Sequence, residues 1–186
     1  MTKRALIWTS HFQFSTEHVV VEPDEGGWSI RGTALAVFDE LPAAVTYSLG
    51  CDSSWLTRDV LVTIELGVDS ESVALSTANG KWTIDGKPRA DLDGCTDIDL
   101  GITPFTNTLP IRRLNLPIGA SAPASAAWVR FPDLGIGRLD QTYMRLSENI
   151  YRYESSGGFT AELTVDDFGI VQQYGDLWSL VASHEF

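Results

Sequence analysis

Between Asp91 and Leu114 the chain concentrates Asp91, Asp93, Asp97, Asp99, Asn107, Arg112 and Arg113 in a span with one aromatic residue, Phe105. Asp97 and Asp99 stand two apart in a stretch that reads as a strand, so both side chains project from one face, while Asp91 and Asp93 precede a bend at Gly94. Carboxylates gathered in this way can hold a hard cation, work as acid and base, or accept hydrogen bonds from a ligand. Near neutral pH they also repel one another unless a cation or several donors compensate. Arg112 and Arg113 are the nearest cations. Arg112–Leu116 reads as a strand, in which consecutive residues face opposite ways, so at most one arginine should pair directly with the acidic face. The spacing lacks the glycine and glutamate positions of an EF-hand loop. A structural ion-pair network, ligand contact and metal binding are the three uses these residues leave open, and no metal is assigned.

Thr103–Pro110 reads as a shaped loop, since Pro104 and Pro110 push the residues before them toward extended backbone and Asn107 tolerates turn geometry. Its hydroxyls and amide can serve sugar oxygens or the loop's own backbone. Six tryptophans (Trp8, Trp28, Trp55, Trp82, Trp128, Trp178) join Tyr143, Tyr151, Tyr153 and Tyr174. Such side chains suit an apolar pocket, a sugar-stacking face or a filled core. Nucleophilic catalysis finds little to work with: there is no Gly-x-Ser-x-Gly elbow, and His11, His18 and His184 fall near the ends. Neither glycine-rich phosphate loop occurs. Paired carboxylates for glycoside hydrolysis could still arise from Glu65, Glu154, Glu162 and the Asp91–Asp99 group, which keeps a hydrolase as the alternative function. Two cysteines, Cys51 and Cys95, with three scattered histidines make a poor zinc set, and no cofactor is implied.

The elements that must position these groups read as strands. Period-two patterning marks Leu6–Trp8, Val19–Glu22, Trp28–Val37, Ala44–Leu49, Val60–Leu66, Glu71–Ser76, Lys81–Asp85, Ala126–Phe131, Gln141–Leu146, Asn149–Tyr153, Thr160–Val165 and Ile170–Tyr174. Asn79-Gly80 and Asp85-Gly86 are type I′ hairpin pairs. Many strands with short turns predict an all-β, antiparallel sheet that curls into a roll or open barrel to avoid long exposed edges. Helix is scarce: Ala120–Ala127 reads as helix or loop, Asp52–Asp59 as one turn, and Asp176–Ser183 as a C-terminal helical turn. The length suits one domain over residues 1–186.

A net charge of -12 disfavours nucleic acid and standing attachment to anionic membranes. No apolar run reaches spanning length, and the N-terminal residues do not read as an export signal, so a soluble, cytoplasmic protein with buried thiols is expected. Oligomeric state is not readable.

Leu92-Asp-Gly-Cys-Thr-Asp-Ile-Asp-Leu100 followed by Thr103-Pro-Phe-Thr-Asn-Thr-Leu-Pro-Ile-Arg-Arg-Leu114 closely resembles the signature of a bacterial family described as putative glycolipid-binding proteins. The likeness extends to Cys51–Trp55, Gly80–Gly86, Gln141–Tyr143, Tyr151–Ser155, Phe159–Asp166 and Gly169–Val171. The resemblance implies a spiral β-roll similar to lipoprotein carriers and non-catalytic binding of a lipid or glycolipid in its cavity. It carries no catalytic residue. On that reading the head group meets Asp97, Asp99, Asn107, Arg112 and Arg113 at the mouth, with Trp55, Trp82, Tyr143 and Tyr153 among the aromatic contacts.

Overall fold

The computed structural model describes residues 2–186. The chain is all-β, built on one 15-stranded sheet that is not closed. Its first half supplies β1 (Arg4–Ser10), β2 (Ser15–Asp24), β3 (Gly27–Phe38), β4 (Leu41–Asp52), β5 (Thr57–Leu66), β6 (Asp69–Ala78), β7 (Lys81–Ile84) and β8 (Lys87–Pro88). The second half supplies β9 (Asp97–Leu100), β10 (Ser121–Val129), β11 (Ile136–Arg145), β12 (Ile150–Ser155), β13 (Thr160–Val165), β14 (Val171–Tyr174) and β15 (Trp178–Glu185). A seven-residue helix, α1 (Thr108–Leu114), lies between β9 and β10.

Across the sheet the order runs from β8 down to β1 and then from β15 down to β9. The two chain ends therefore pair in the middle, β1 against β15, and the two sheet edges are consecutive in sequence. β9 and β10 pair in parallel because the connection through α1 carries the chain back to the same end; the other pairs are antiparallel. Thr57, at the start of β5, bonds the outer edge of β9: its hydroxyl accepts from the Ile98 N–H at 3.1 Å and its own N–H donates to the Thr96 carbonyl. This contact curls the far end of the sheet back on its near half. β8 is short and ends in Pro88, which has no N–H to offer a further strand.

Alternation explains which face is covered. Trp28, Ile30, Ala34 and Ala36 of β3 and Val45, Tyr47, Leu49 and Cys51 of β4 point inward with Val60, Val62 and Ile64 of β5. Each fully buried aliphatic side chain of this kind contributes ~1.5–3 kcal/mol. Gly32 continues the inward phase opposite Tyr47, and a Cβ there would stand 2.1 Å from Tyr47 Cζ. The missing side chain is what lets the phenol ring lie across the strand. Trp8 and Phe105 meet edge to face at 6.4 Å in this core, so the interior of the roll is filled by side chains. A second cluster, containing Ile111, Leu116, Tyr143, Tyr151 and Leu163, packs α1 on the other face of the second-half strands.

Four expectations differ from the structure. Arg112–Leu116 is not a strand: α1 covers most of it, and Pro110 is accommodated because it sits in the first helical turn, where N–H groups have no intrahelical partner. Thr103–Pro110 is accordingly a 3-10 turn at Phe105–Asn107 leading into α1. Ala120–Ala127 is neither helix nor loop but most of β10, whose small residues permit close packing on both faces. The expected C-terminal helical turn is β15, held by its ladder with β1. Of the expected turn at Asp52–Asp59 only Asp52–Leu56 is a tight turn, with Asp52 Oδ1 accepting from the Ser54 and Leu56 N–H groups, and Thr57–Asp59 already belong to β5. Both expected hairpin pairs adopt left-handed backbone, φ 52° and 71° at Asn79-Gly80 and 49° and 74° at Asp85-Gly86.

Candidate functional site

β9 has two unlike faces. Ile98 and Leu100 enter the main core, while Asp97 and Asp99 face α1 and the second-half strands. Asp97 is 1% exposed and accepts two hydrogen bonds from Arg113, 3.1 Å from Nε and 2.5 Å from Nη2, plus one from the Thr96 hydroxyl. This bidentate pair fastens the last turn of α1 to β9. At the helix's other end Asn107 Oδ1 accepts from the Tyr143 hydroxyl at 2.7 Å.

Among the described residues Asp99 has no cationic partner. Its Oδ2 accepts from Gln141 Nε2 at 2.5 Å, and Gln141 Nε2 also reaches the Tyr153 hydroxyl at 3.1 Å. Burial pushes the Asp99 carboxyl up to about 6, with the Asp97 charge adding to the rise and the Gln141 bond opposing it. Near pH 6 this group therefore changes between donor and pure acceptor.

Asp99 opens into a cavity of about 330 Å³. Phe12, Trp128, Tyr153, Phe159, Tyr174 and Trp178 form its aromatic wall with Leu100, Leu139 and Leu177, while Asp99, Thr103, Asn107 and Ser155 supply polar groups. The wall is internally braced: Tyr153 meets Tyr143, Phe159 and Tyr174 at ring separations of 5.3, 6.0 and 6.0 Å. Phe12 packs edge-on to Trp178 at 6.4 Å. Rings fixed in this way lose little freedom when a ligand arrives.

Behind the cavity, Thr103 connects to a buried carboxyl. Its hydroxyl donates to Glu17 Oε2 at 2.6 Å, and the Tyr47 hydroxyl donates to Glu17 Oε1 at 2.7 Å. Burial raises the Glu17 carboxyl to about 8, more than the two hydrogen bonds lower it. Tyr47 is pushed well above its ordinary value by burial and by the neighbouring Glu17.

Residues 5–179 match the family described as putative glycolipid-binding. The chain belongs to this family. A solved DUF1089 family protein from Pseudomonas aeruginosa is similar at 31% identity and a TM-score of 0.80, over 88% of this chain and 91% of that one. A β-barrel-like protein of the domain of unknown function DUF1849 from Brucella abortus superposes over 100% of this chain and 98% of its own, with 12% identity and a TM-score of 0.53. That likeness concerns the fold alone. No curated protein matches the chain.

Within this member of the glycolipid-binding family, the residues singled out from sequence part company. Asp99, Asn107 and Tyr153 line the aromatic cavity. Asp97, Arg113 and Tyr143 stand behind it as supports. Trp82 is buried, its indole N–H donating to the Cys95 carbonyl at 3.0 Å. Trp55 stacks on Trp28 at 4.8 Å in the main core. Arg112 faces a different pocket. Cys51 and Cys95 are free buried thiols. Phe12, Trp128, Leu139, Phe159 and Trp178 were not singled out as site residues. Glu17 left one trace, standing in phase with Val19 and Val21, but Val20 in the opposite phase blurs it. Among the described residues no cluster of metal-ligand type occurs and no helix is long and apolar enough to cross a membrane.

Proposed function

We propose that the aromatic cavity binds a lipid or glycolipid without turning it over. The observation that carries this reading is the joining, in one cavity of about 330 Å³, of six aromatic rings with Asp99, Thr103, Asn107 and Ser155. The volume lies at the low end of the roughly 300–1,000 Å³ of small-ligand sites, which favours one sugar ring or one short chain over a two-tailed lipid body. Each methylene buried there contributes ~0.8 kcal/mol. Asp99 and Asn107 orient hydroxyls, the first as a strong acceptor once ionised. The family's description points to the same ligand class. Hydrolysis by paired carboxylates needs two acids across the substrate, whereas Asp99 alone lines this cavity and Asp97 is held by Arg113.

Native mass spectrometry after incubation with a bacterial glycolipid extract tests the proposal. The expected result is a defined glycolipid adduct on the wild-type protein that is lost in Leu139→Trp, a substitution that fills the cavity, at unchanged melting temperature. A bare mass for the wild type, or an adduct indifferent to Leu139→Trp, would overturn it.

A further inference from the structure

On the far side of α1 lies a second pocket of about 350 Å³, sharing no lining residue with the first. Asn107, just ahead of the helix, lines the aromatic cavity; Arg112 and Asn115, at its other end, line this one with Arg145, Asn149 and Tyr151. We propose that this pocket is a separate binding site for a singly charged oxyanion, namely the phosphodiester of a head group or of a free glycerophosphodiester.

Arg112 is the central observation. Its Nε is buried without a hydrogen-bond partner, and none of the ion pairs among the described residues includes it. Carboxylates outnumber lysines and arginines 25 to 13 in this chain, so an unpaired, partly buried guanidinium runs against its surroundings. The position is built. The guanidinium lies 4.5 Å over the Phe168 ring and 5.5 Å from Trp55, and Gly169 leaves it room: a Cβ there would come within 3.1 Å of Arg112 Cδ. The helix C-terminus favours a cation, but that does not satisfy the orphaned Nε.

A second guanidinium, Arg145, lines the same pocket, which also carries Glu148, Asp166 and Asp167. Arg145 spends its donors on neutral acceptors, the carbonyls of Ser147, Leu116 and Glu148, which fix its plane and leave its charge intact. Arg4 is near enough to depress the Arg112 pKa, after burial itself, and is already matched by Asp166 and Glu185. Tyr151 feels both Arg145 and Arg112, although burial prevails and raises its hydroxyl. Asp166 faces the pocket but is occupied by Arg4 and by the Phe168 and Ile170 N–H groups. Glu148 and Asp167 stand exposed at the rim. They repel a dianion more than a monoanion, which selects a diester over inorganic phosphate.

The site is independent of the aromatic cavity and stands whether or not that cavity takes a ligand. Titration calorimetry with glycerophosphoglycerol and with dihexanoylphosphatidylglycerol below its micelle concentration tests it. Arg112→Gln should weaken binding at least about tenfold, as loss of a charge-assisted contact does, while Arg152→Gln on an exposed strand face should leave it unchanged. Tyr151→Phe, which keeps the ring and the fold, should weaken it about threefold or more through the lost hydroxyl. Comparable affinity for both probes assigns a free diester as the source; at least about tenfold tighter lipid binding assigns a lipid head group. No heat with either probe up to about 20 mM, weaker than charge-assisted pairs supply, would overturn the proposal. So would equal losses in Arg112→Gln and Arg152→Gln, or none in Arg112→Gln and Tyr151→Phe.

Discussion

Replacing Glu17 with glutamine should reshape the pH dependence of stability. Glu17 is 1% exposed and takes hydrogen bonds from Tyr47 and Thr103, yet burial lifts its carboxyl from 4.5 to about 8. Below pH 4.5 the folded and unfolded chains both hold the proton. Between 4.5 and about 8 the unfolded chain releases it while the folded chain keeps it, so stability falls as pH rises through this window. At ~1.4 kcal/mol per tenfold change in acidity, the full loss is at most about 5 kcal/mol, a large part of the ~5–15 kcal/mol that holds a domain folded. Glutamine keeps an acceptor for one hydroxyl and has no proton to lose. Urea unfolding of wild type and Glu17→Gln at intervals from about pH 5 to pH 8.5 should show the variant gaining several kcal/mol relative to wild type as pH rises. A stability difference that stays flat across that range would refute the reasoning.

Two further outcomes follow from β9. Arg113→Gln strands the buried Asp97 carboxylate and should cost about 3–5 kcal/mol in denaturant unfolding, with Asp97→Asn in the same chain recovering part of the loss; no recovery would mean the helix needs Arg113 for another reason. Ligand affinity at the aromatic cavity should rise as pH passes about 6, where Asp99 becomes a pure acceptor, and Asp99→Asn should bind with little pH dependence when followed by calorimetry.

The strands were legible where one face alone is buried. In β3 and β4 the alternation of Trp28, Ile30, Val45 and Leu49 with polar or exposed neighbours is direct physical evidence of a covered face. Only the end of β10, from Ala126, was legible; its first part was not, because Ala124 packs in one cluster and Ala127 in the other, which breaks the alternation along the strand. α1 hid behind Pro110 and a five-residue pattern too short to separate a period of two from one of 3.6. That at most one of the two arginines would pair with the acidic cluster was visible from their closeness in sequence, but which arginine and which carboxylate was not, because a helix rather than a strand presents Arg113 to Asp97. The cavity wall was not visible. Phe12, Trp128, Phe159 and Trp178 come from distant segments, and only the β1–β15 pairing and the curl of the second-half strands bring them together.

If the aromatic cavity is where ligand binds, the six indole N–H groups report on it directly. Titrating a ¹⁵N-labelled protein with a short-chain alkyl glycoside below its micelle concentration should move the Trp128 and Trp178 signals, whose rings line the cavity. Trp8 and Trp82, whose N–H groups are committed to the Val171 and Cys95 carbonyls, should stay in place. Six stationary signals, or shifts confined to the stacked pair Trp28 and Trp55, would contradict binding in the aromatic cavity.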